Sequence, residues 1–246
     1  MNSQTQRCAL ITGASSGIGK ATALAFAEAG IDLALVSRSG EKLEQVAEAA
    51  RKIGVKAKAF PLDLAKIDEV REQIRAIDTT YNPIDILVNN AAMGYTGLLL
   101  ETPLADWQRV IDLNLTSVFQ CTQGILPGMR DRRSGIIINV SSTGGKQVFA
   151  GWGAYCVSKF GLMALSQTLA VEERAHNIRV SVICPGAVNT PIWDTETVQA
   201  DADRSIMLTP EMVAQSILHI AQLNNAAVIE ELTLVPSSIV IEELTL

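Results

Sequence analysis

Tyr155 and Lys159 stand four residues apart in "GAYCVSKFGLMALSQTLAVEERA" (153–175). The segment has helical periodicity, so the two side chains share a face about one turn apart. A free tyrosine has a pKa of about 10 and is a poor base at neutral pH. A nearby lysine ammonium favours the phenolate and lowers that pKa. Such a tyrosine can give a proton to a carbonyl oxygen or take one from an alcohol. Ser142, thirteen residues before Tyr155, closes the apolar run "IINVSSTGG" and can hydrogen-bond the same oxygen. Ser141 competes with it. By itself Tyr-x-x-x-Lys is an ordinary pattern of amphipathic helices, so its meaning depends on its company.

The second feature is "TGASSGIGKATALAFAEAG" (12–30), where a strand pattern turns into a helix pattern. Gly13 permits the tight turn, Gly17 lets a pyrophosphate approach the backbone, and Gly19 lets the helix pack close to the strand. The helix N-terminus then offers unpaired N–H groups to phosphate, and Ser15 and Ser16 add hydroxyl donors. The spacing is G-x3-G-x-G, not the G-x-G-x-x-G of the usual dinucleotide fingerprint.

A third stretch, "ALVSRSG" (34–40), ends the second strand pattern. An acidic residue there would hold the ribose hydroxyls of NAD. Ser37 stands in that place and adds no negative charge, and the Arg38 guanidinium can pair with a 2′-phosphate. This favours NADP(H) over NAD(H), although Ser16 brings no cation to the glycine loop.

These groups need elements to position them. Short apolar runs recur at 8–13, 31–37, 55–62, 84–90, 135–142, 178–186 and 227–235, with helix-periodic segments between most of them. The alternation implies an α/β fold: a doubly wound parallel sheet of about seven strands with helices on both faces. No linker or composition break divides the chain, so 1–246 reads as a single domain. "VIEELTL" occurs at 228–234 and again at 240–246. The first copy reads as the last core strand, and the second as a duplicated tail or as an added strand or contact arm.

Composition narrows the classes. A net charge of −6 argues against a nucleic-acid binder driven by phosphate neutralisation. No signal pattern and no membrane-length apolar run is visible, so a soluble cytoplasmic protein is expected. Cys8, Cys121, Cys156 and Cys184 lack metal or redox spacing and read as inert thiols; His176 and His219 are too few for a zinc site or a Ser-His-Asp triad. No metal is expected.

With "NNAA" (89–92), Asn114 in "DLNLTSVF" and "CPG" (184–186), these motifs resemble the short-chain dehydrogenase/reductase family in its compact form. The likeness runs from about Arg7 to about Val235 and is strongest towards 3-oxoacyl-thioester reductases and related carbonyl reductases. It implies a Rossmann-type sheet, usually in a homotetramer or homodimer, acting on a small carbonyl substrate, with no nucleic-acid or membrane partner. In the family the residues matching Gly13, Ser15, Ser16, Gly17, Ile18 and Gly19 surround the pyrophosphate. The aspartate matching Asp63 contacts adenine, with Leu64 beside it. Asn90 and Ala91 line the adenosine ribose, and Pro185, Gly186, Val188 and Thr190 hold the nicotinamide end. Ser142 corresponds to the serine that holds the substrate oxygen, Tyr155 to the acid/base, and Lys159 to the lysine that binds the ribose and tunes the tyrosine. Asn114 corresponds to an asparagine that holds a water leading from the lysine to solvent. Ala92 departs from the family's glycine.

The implied reaction is NADPH-dependent reduction of a ketone or 3-oxoacyl carbonyl to a secondary alcohol. The alternatives are an NAD-linked alcohol dehydrogenase working oxidatively and a non-catalytic nucleotide-sensing protein. Residues 187–210 form a lid, with Trp193 as its main bulky apolar residue and Trp152 as the opposite wall. Both tryptophans also suit plain packing at a helix or subunit surface. The basic cluster Arg130, Arg132 and Arg133 would suit either an acidic carrier protein or a solvated helix end.

Overall fold

The structure, a computed structural model, describes residues 6–81 and 83–237. Its strands are β1 (Cys8–Thr12), β2 (Asp32–Ser37), β3 (Ala57–Pro61), β4 (Ile86–Asn89), β5 (Gly135–Val140), β6 (Ile178–Pro185) and β7 (Glu231–Leu234). They form one sheet in the order β3-β2-β1-β4-β5-β6-β7, parallel throughout. The helices are α1 (Gly17–Glu28), α2 (Gly40–Ile53), α3 (Ile67–Thr80), α4 (Leu104–Ile111), α5 (Ser117–Arg132), α6 (Gly153–Glu173) and α7 (Pro210–Gln222).

Both faces of the sheet are covered, which is why β1, β2 and β4 are mostly apolar and wholly buried, with polar residues only at their ends. On one face Ile11, Leu35, Val88 and Ile138 pack with Phe26 of α1, Leu43 of α2 and Ile217 of α7. On the other, Leu10, Leu87 and Ile137 pack with Ile74 of α3, Ile125 of α5 and Leu169 of α6. Helix α1 is rich in alanine because it is also covered from behind: Ala21 and Ala25 meet Ala214 and Leu218 of α7.

The expected alternation and the seven parallel strands are found. The last strand is shorter than its apolar run suggests. Only Glu231–Leu234 pairs with β6, and its side chains alternate between exposed and half-buried, as an edge strand with one covered face should. The second "VIEELTL" copy lies outside the described residues.

After β3 the chain returns to place β4 on the other side of β1. Such a reversal opens a crevice beyond the carboxyl ends of the strands. The glycine loop follows β1 and "NNAA" follows β4, so both sequence motifs flank that crevice.

Candidate active site

The crevice is a cavity of 620 Å³, within the range of cofactor and substrate sites. At its β1 side the backbone is crowded. Gly13 has φ +67°, and a Cβ there would sit 2.9 Å from Ala91 Cα. Gly19 lies against the same turn, where a Cβ would sit 2.3 Å from the Gly13 carbonyl oxygen. Gly17 has φ +51° and faces the Thr190 side chain. Helix α1 has no acidic residue in its first turn, and Ser16 makes no side-chain cap, so the helix's first N–H groups are left for a ligand.

Ser15, Ser16, Gly17 and Ile18 line the cavity next to that helix end, and Ser37 and Arg38 line it at the end of β2. The Ser37 hydroxyl donates to Ser15 Oγ at 2.8 Å, which closes the gap between the two turns. Among the described residues no carboxylate pairs with Arg38. An anion-cradling turn, an open helix N-terminus and an uncommitted guanidinium together fit a dinucleotide with an additional phosphate.

Leu64, Asn90, Ala91, Pro185, Gly186, Val188 and Thr190 also line the cavity, as expected. Gly19, Asp63 and Asn114 do not. Gly19 is occupied in packing α1 against Gly13. Asp63 accepts from the Ala65 backbone N–H at 3.1 Å and so shapes the turn that presents Leu64. Asn114 lies deeper.

The chain carries Asn114 in a π-helical turn, Asp112–Thr116, between α4 and α5. Such turns insert an extra residue into a helix and often mark functional positions. Asn114 is 1% exposed. Its Oδ1 accepts from Met93 N–H at 2.8 Å, and its Nδ2 donates to Met93 O at 3.0 Å and to Ser158 Oγ at 3.1 Å. The Ser158 hydroxyl donates in turn to Tyr155 O. Asn114 thus ties the segment after β4 to the second turn of α6.

Tyr155 and Lys159 share the inner face of α6, and both line the cavity. The Lys159 ammonium nitrogen lies 5.7 Å from the Tyr155 ring centroid and donates to Val140 O at 2.9 Å. Ser142 stands two residues past the end of β5, close enough to Tyr155 to favour its phenolate, and its Oγ accepts from Gly144 N–H at 3.0 Å. Ser141 turns the other way and donates to Lys159 O. The serine thirteen residues before the tyrosine is therefore the one beside it.

The electrostatics differ from the sequence expectation in one respect. Lys159 was expected to lower the tyrosine pKa. Burial dominates instead, pushing the Tyr155 phenol up to about 12, with the Ser142 hydrogen bond opposing it. Burial also pulls Lys159 down to about 8. The Cys184 thiol beside the lysine is pushed up to about 11, mainly by burial, so it stays neutral.

Sequence reasoning missed two supports. Thr12 Oγ1 accepts from both Asn90 N–H and Ala91 N–H, at 2.9 and 3.0 Å, and so clasps β4's exit to β1. Asn89 Nδ2 donates to Asn139 Oδ1 at 2.9 Å, and Asn139 Nδ2 to Ser166 Oγ at 2.8 Å, tying α6 to the sheet. Polar residues inside apolar strand runs were the available signal.

Trp152 and Trp193 both line the cavity. Trp152 stands edge-on to Tyr155, with centroids 5.5 Å apart, and edge-on to Trp193 at 5.7 Å. The basic cluster is elsewhere. It ends α5, just before β5 begins, at the opposite end of the sheet from Ser142, about 20 Å away for a strand of this length. Arg130 pairs with buried Glu173, Arg132 donates to Ile84 O, and Arg133 donates to Ala175 O. These arginines join elements of the fold at that end of the sheet.

Comparison with known proteins agrees with this geometry. The sequence pattern of the family described as short chain dehydrogenase matches residues 7–201. This chain is a short-chain dehydrogenase. As a member of that family it is an oxidoreductase. It is 38% identical over 218 residues to a 3-oxoacyl-[acyl-carrier-protein] reductase of Thermotoga maritima, covering 86% of this chain and 89% of that one. Among solved structures it resembles an alcohol dehydrogenase from the archaeon Thermococcus sibiricus complexed with 5-hydroxy-NADP, at TM-score 0.85 and 28% identity over 94% of this chain and 96% of that one. A metagenomic short-chain oxidoreductase in complex with NADP matches at TM-score 0.83 and 30% identity, over 94% and 97%. Among the described residues of this dehydrogenase no helix is long and apolar enough to cross a membrane.

Proposed function

We propose that this dehydrogenase reduces a ketone or 3-oxoacyl-type carbonyl to a secondary alcohol with NADPH. The observation that carries the reading is the convergence of Ser142, Tyr155 and Lys159 in one cavity with an open α1 N-terminus and Arg38. The reduced nicotinamide supplies the hydride when bound. The chain's own residues handle the oxygen. Ser142 donates a hydrogen bond to it, and Tyr155, kept protonated by burial, delivers the proton. The Lys159 ammonium over the phenol ring stabilises the negative charge left there.

Asn114 is the positioning residue of the set. Its side chain is fully engaged by Met93 and Ser158, so a relay water would be held by its backbone carbonyl, in the π-helical turn. Gly13, Ser15, Ser16, Gly17 and Ile18 hold the pyrophosphate, and Arg38 the 2′-phosphate. Asn90 and Ala91 hold the adenosine ribose. Pro185, Gly186, Val188 and Thr190 hold the nicotinamide end, and Trp152 and Trp193 contact the substrate. The relatives in complex with NADP support the cofactor choice. One feature favours an NAD-linked enzyme: Ser16 brings no cation to the glycine loop.

The enzyme is also proposed to be a cytoplasmic homotetramer. Exposed Phe119 of α5 and Val157 and Phe160 of α6 offer an apolar face for a second copy. The free, buried thiols of Cys121, Cys156 and Cys184 suit a reducing compartment.

The cofactor reading is tested by steady-state kinetics of Arg38→Leu with both nucleotides. KM for NADPH should rise by about tenfold or more, as loss of a charge-assisted pair predicts, with KM for NADH nearly unchanged. Equal effects on the two would show that Arg38 does not read the phosphate.

A further inference from the structure

The chemistry at Tyr155 leaves open what surrounds the carbonyl. The wall beside Tyr155 is aromatic in a specific arrangement. Trp152 lies edge-on to the Tyr155 ring at an interplanar angle of 69°, and Trp193 lies edge-on to Trp152 at 71°. The Trp193 indole and the Trp152 backbone are each held by backbone contacts. Trp193 Nε1 donates to Val188 O at 2.9 Å. The backbone of Trp152 bridges to Gly97, whose N–H donates to Gly151 O at 2.7 Å. Two rings held nearly perpendicular make a corner. A flat ring can lie against one and present its edge to the other, the geometry that aromatic quadrupoles favour. Met93, Phe149, Ile192 and Ile206 supply the rest of the apolar wall.

Charge adds a second constraint. Arg38 and Lys159 are the basic residues lining the cavity, and both are already assigned to cofactor and catalysis. The one basic residue of the lid, Arg204, pairs with Asp194 at 2.6 Å and donates to Asn189 Oδ1. Among the described residues, the carboxylates that line the cavity are Asp201 and Asp203, both on the lid. Hydrogen bonds from Ser205 to Asp203 favour its charged form. A substrate carboxylate would find no cation of its own here and would meet two like charges.

We propose that Trp152 and Trp193 form an aromatic corner that selects a neutral ketone bearing a flat apolar ring, and that Asp201 and Asp203 reject substrates carrying a carboxylate. This rests on the reading of Tyr155 as the proton donor of an NADPH-dependent reductase. It goes beyond that reading by naming the substrate class and four specificity-determining residues.

The test uses three activated ketones of differing intrinsic reactivity, read through the changes in their ratios between variants: ethyl benzoylformate with a neutral ring, ethyl pyruvate without the ring, and benzoylformate with a free carboxylate. Acetoacetyl-CoA stands for acyl thioesters. With NADPH, the wild type should show kcat/KM for ethyl benzoylformate about tenfold above ethyl pyruvate and about a hundredfold above benzoylformate. In Trp152→Leu and in Trp193→Leu the ratio of ethyl benzoylformate to ethyl pyruvate should fall by about tenfold, mainly through KM. The ratio cancels any general loss from disturbing Tyr155. In Asp201→Asn with Asp203→Asn, where Asn keeps the capping oxygen, the penalty on benzoylformate should shrink by about tenfold. An unchanged ratio in both tryptophan variants, or acetoacetyl-CoA turned over faster than ethyl benzoylformate, overturns the proposal. If the wild type reduces ketones only when Tyr155 is present but ignores the ring, this inference alone fails. If no ketone is reduced at all, the reductase reading fails and this inference with it.

Discussion

The two ends of the cavity are built differently. The cofactor end is made of backbone against backbone. Gly13, Gly19, Asn90 and Ala91 touch with no room for a Cβ, and Thr12 pins the junction with two hydrogen bonds. The substrate end is made of side chains on an exposed segment. The lid is clasped at its base by Asn189 N–H to Leu208 O and Leu208 N–H to Ala187 O, and at its flank by Thr96 N–H to Thr197 O. Between those ties it carries Trp193, Asp201 and Asp203. Part of the molecule that must hold an invariant ligand is fixed by close packing. The part proposed to choose among substrates lies on a surface segment, where substitutions need not move the sheet.

That contrast can be broken from either side. The largest effect is expected at the cofactor end. In Gly19→Val the added Cβ meets the Gly13 carbonyl, costing about 3 kcal/mol, and the enzyme should melt about 6–12 °C lower and lose NADPH binding. Thermal unfolding followed by circular dichroism checks it; an unchanged melting temperature would mean the turn has slack.

At the centre of the cavity, Lys159→Met should lower kcat by about a hundredfold, within the usual range for loss of a group that supports proton transfer. The pH profile sharpens this. Lys159 carries its charge below its pKa of about 8, and Tyr155 keeps its proton up to about 12. Carbonyl reduction should therefore be level below pH 8 and fall above it as the ammonium is lost. The fall should be absent in Lys159→Met, and its persistence there would assign the break to another group.

At the lid, Arg204→Ala removes a half-exposed pair with Asp194, worth about 0–1 kcal/mol, so KM should change by less than about threefold. A tenfold change would show that the lid is held as tightly as the cofactor end.

The same difference explains what could be read from sequence. Residues Gly13, Gly17 and Gly19 announce themselves because only glycine fits where they stand, and Ser142 because a short connection of one 3-10 turn and a loop carries it to Tyr155 at the start of α6. Parallel pairing followed from alternation. Other features depend on surroundings that composition does not display. The dominance of burial over Lys159 in setting the Tyr155 pKa needed the packed site. The π-helical turn at Asp112–Thr116 has no residue signature of its own. The arginines at 130, 132 and 133 looked free because their partners, Glu173, Ile84 and Ala175, are distant in sequence. The short β7 reflects its place at the edge, where, among the described residues, one face of the run stays exposed.

Tyr155→Phe is the most direct measurement, because it separates the two ends in one protein. NADPH binding by fluorescence titration and ketone-dependent NADPH oxidation should be followed on the same preparation. Turnover should fall by about a hundredfold to ten-thousandfold, while NADPH affinity weakens by less than about tenfold. Near-normal turnover in a variant that still binds NADPH would contradict the account.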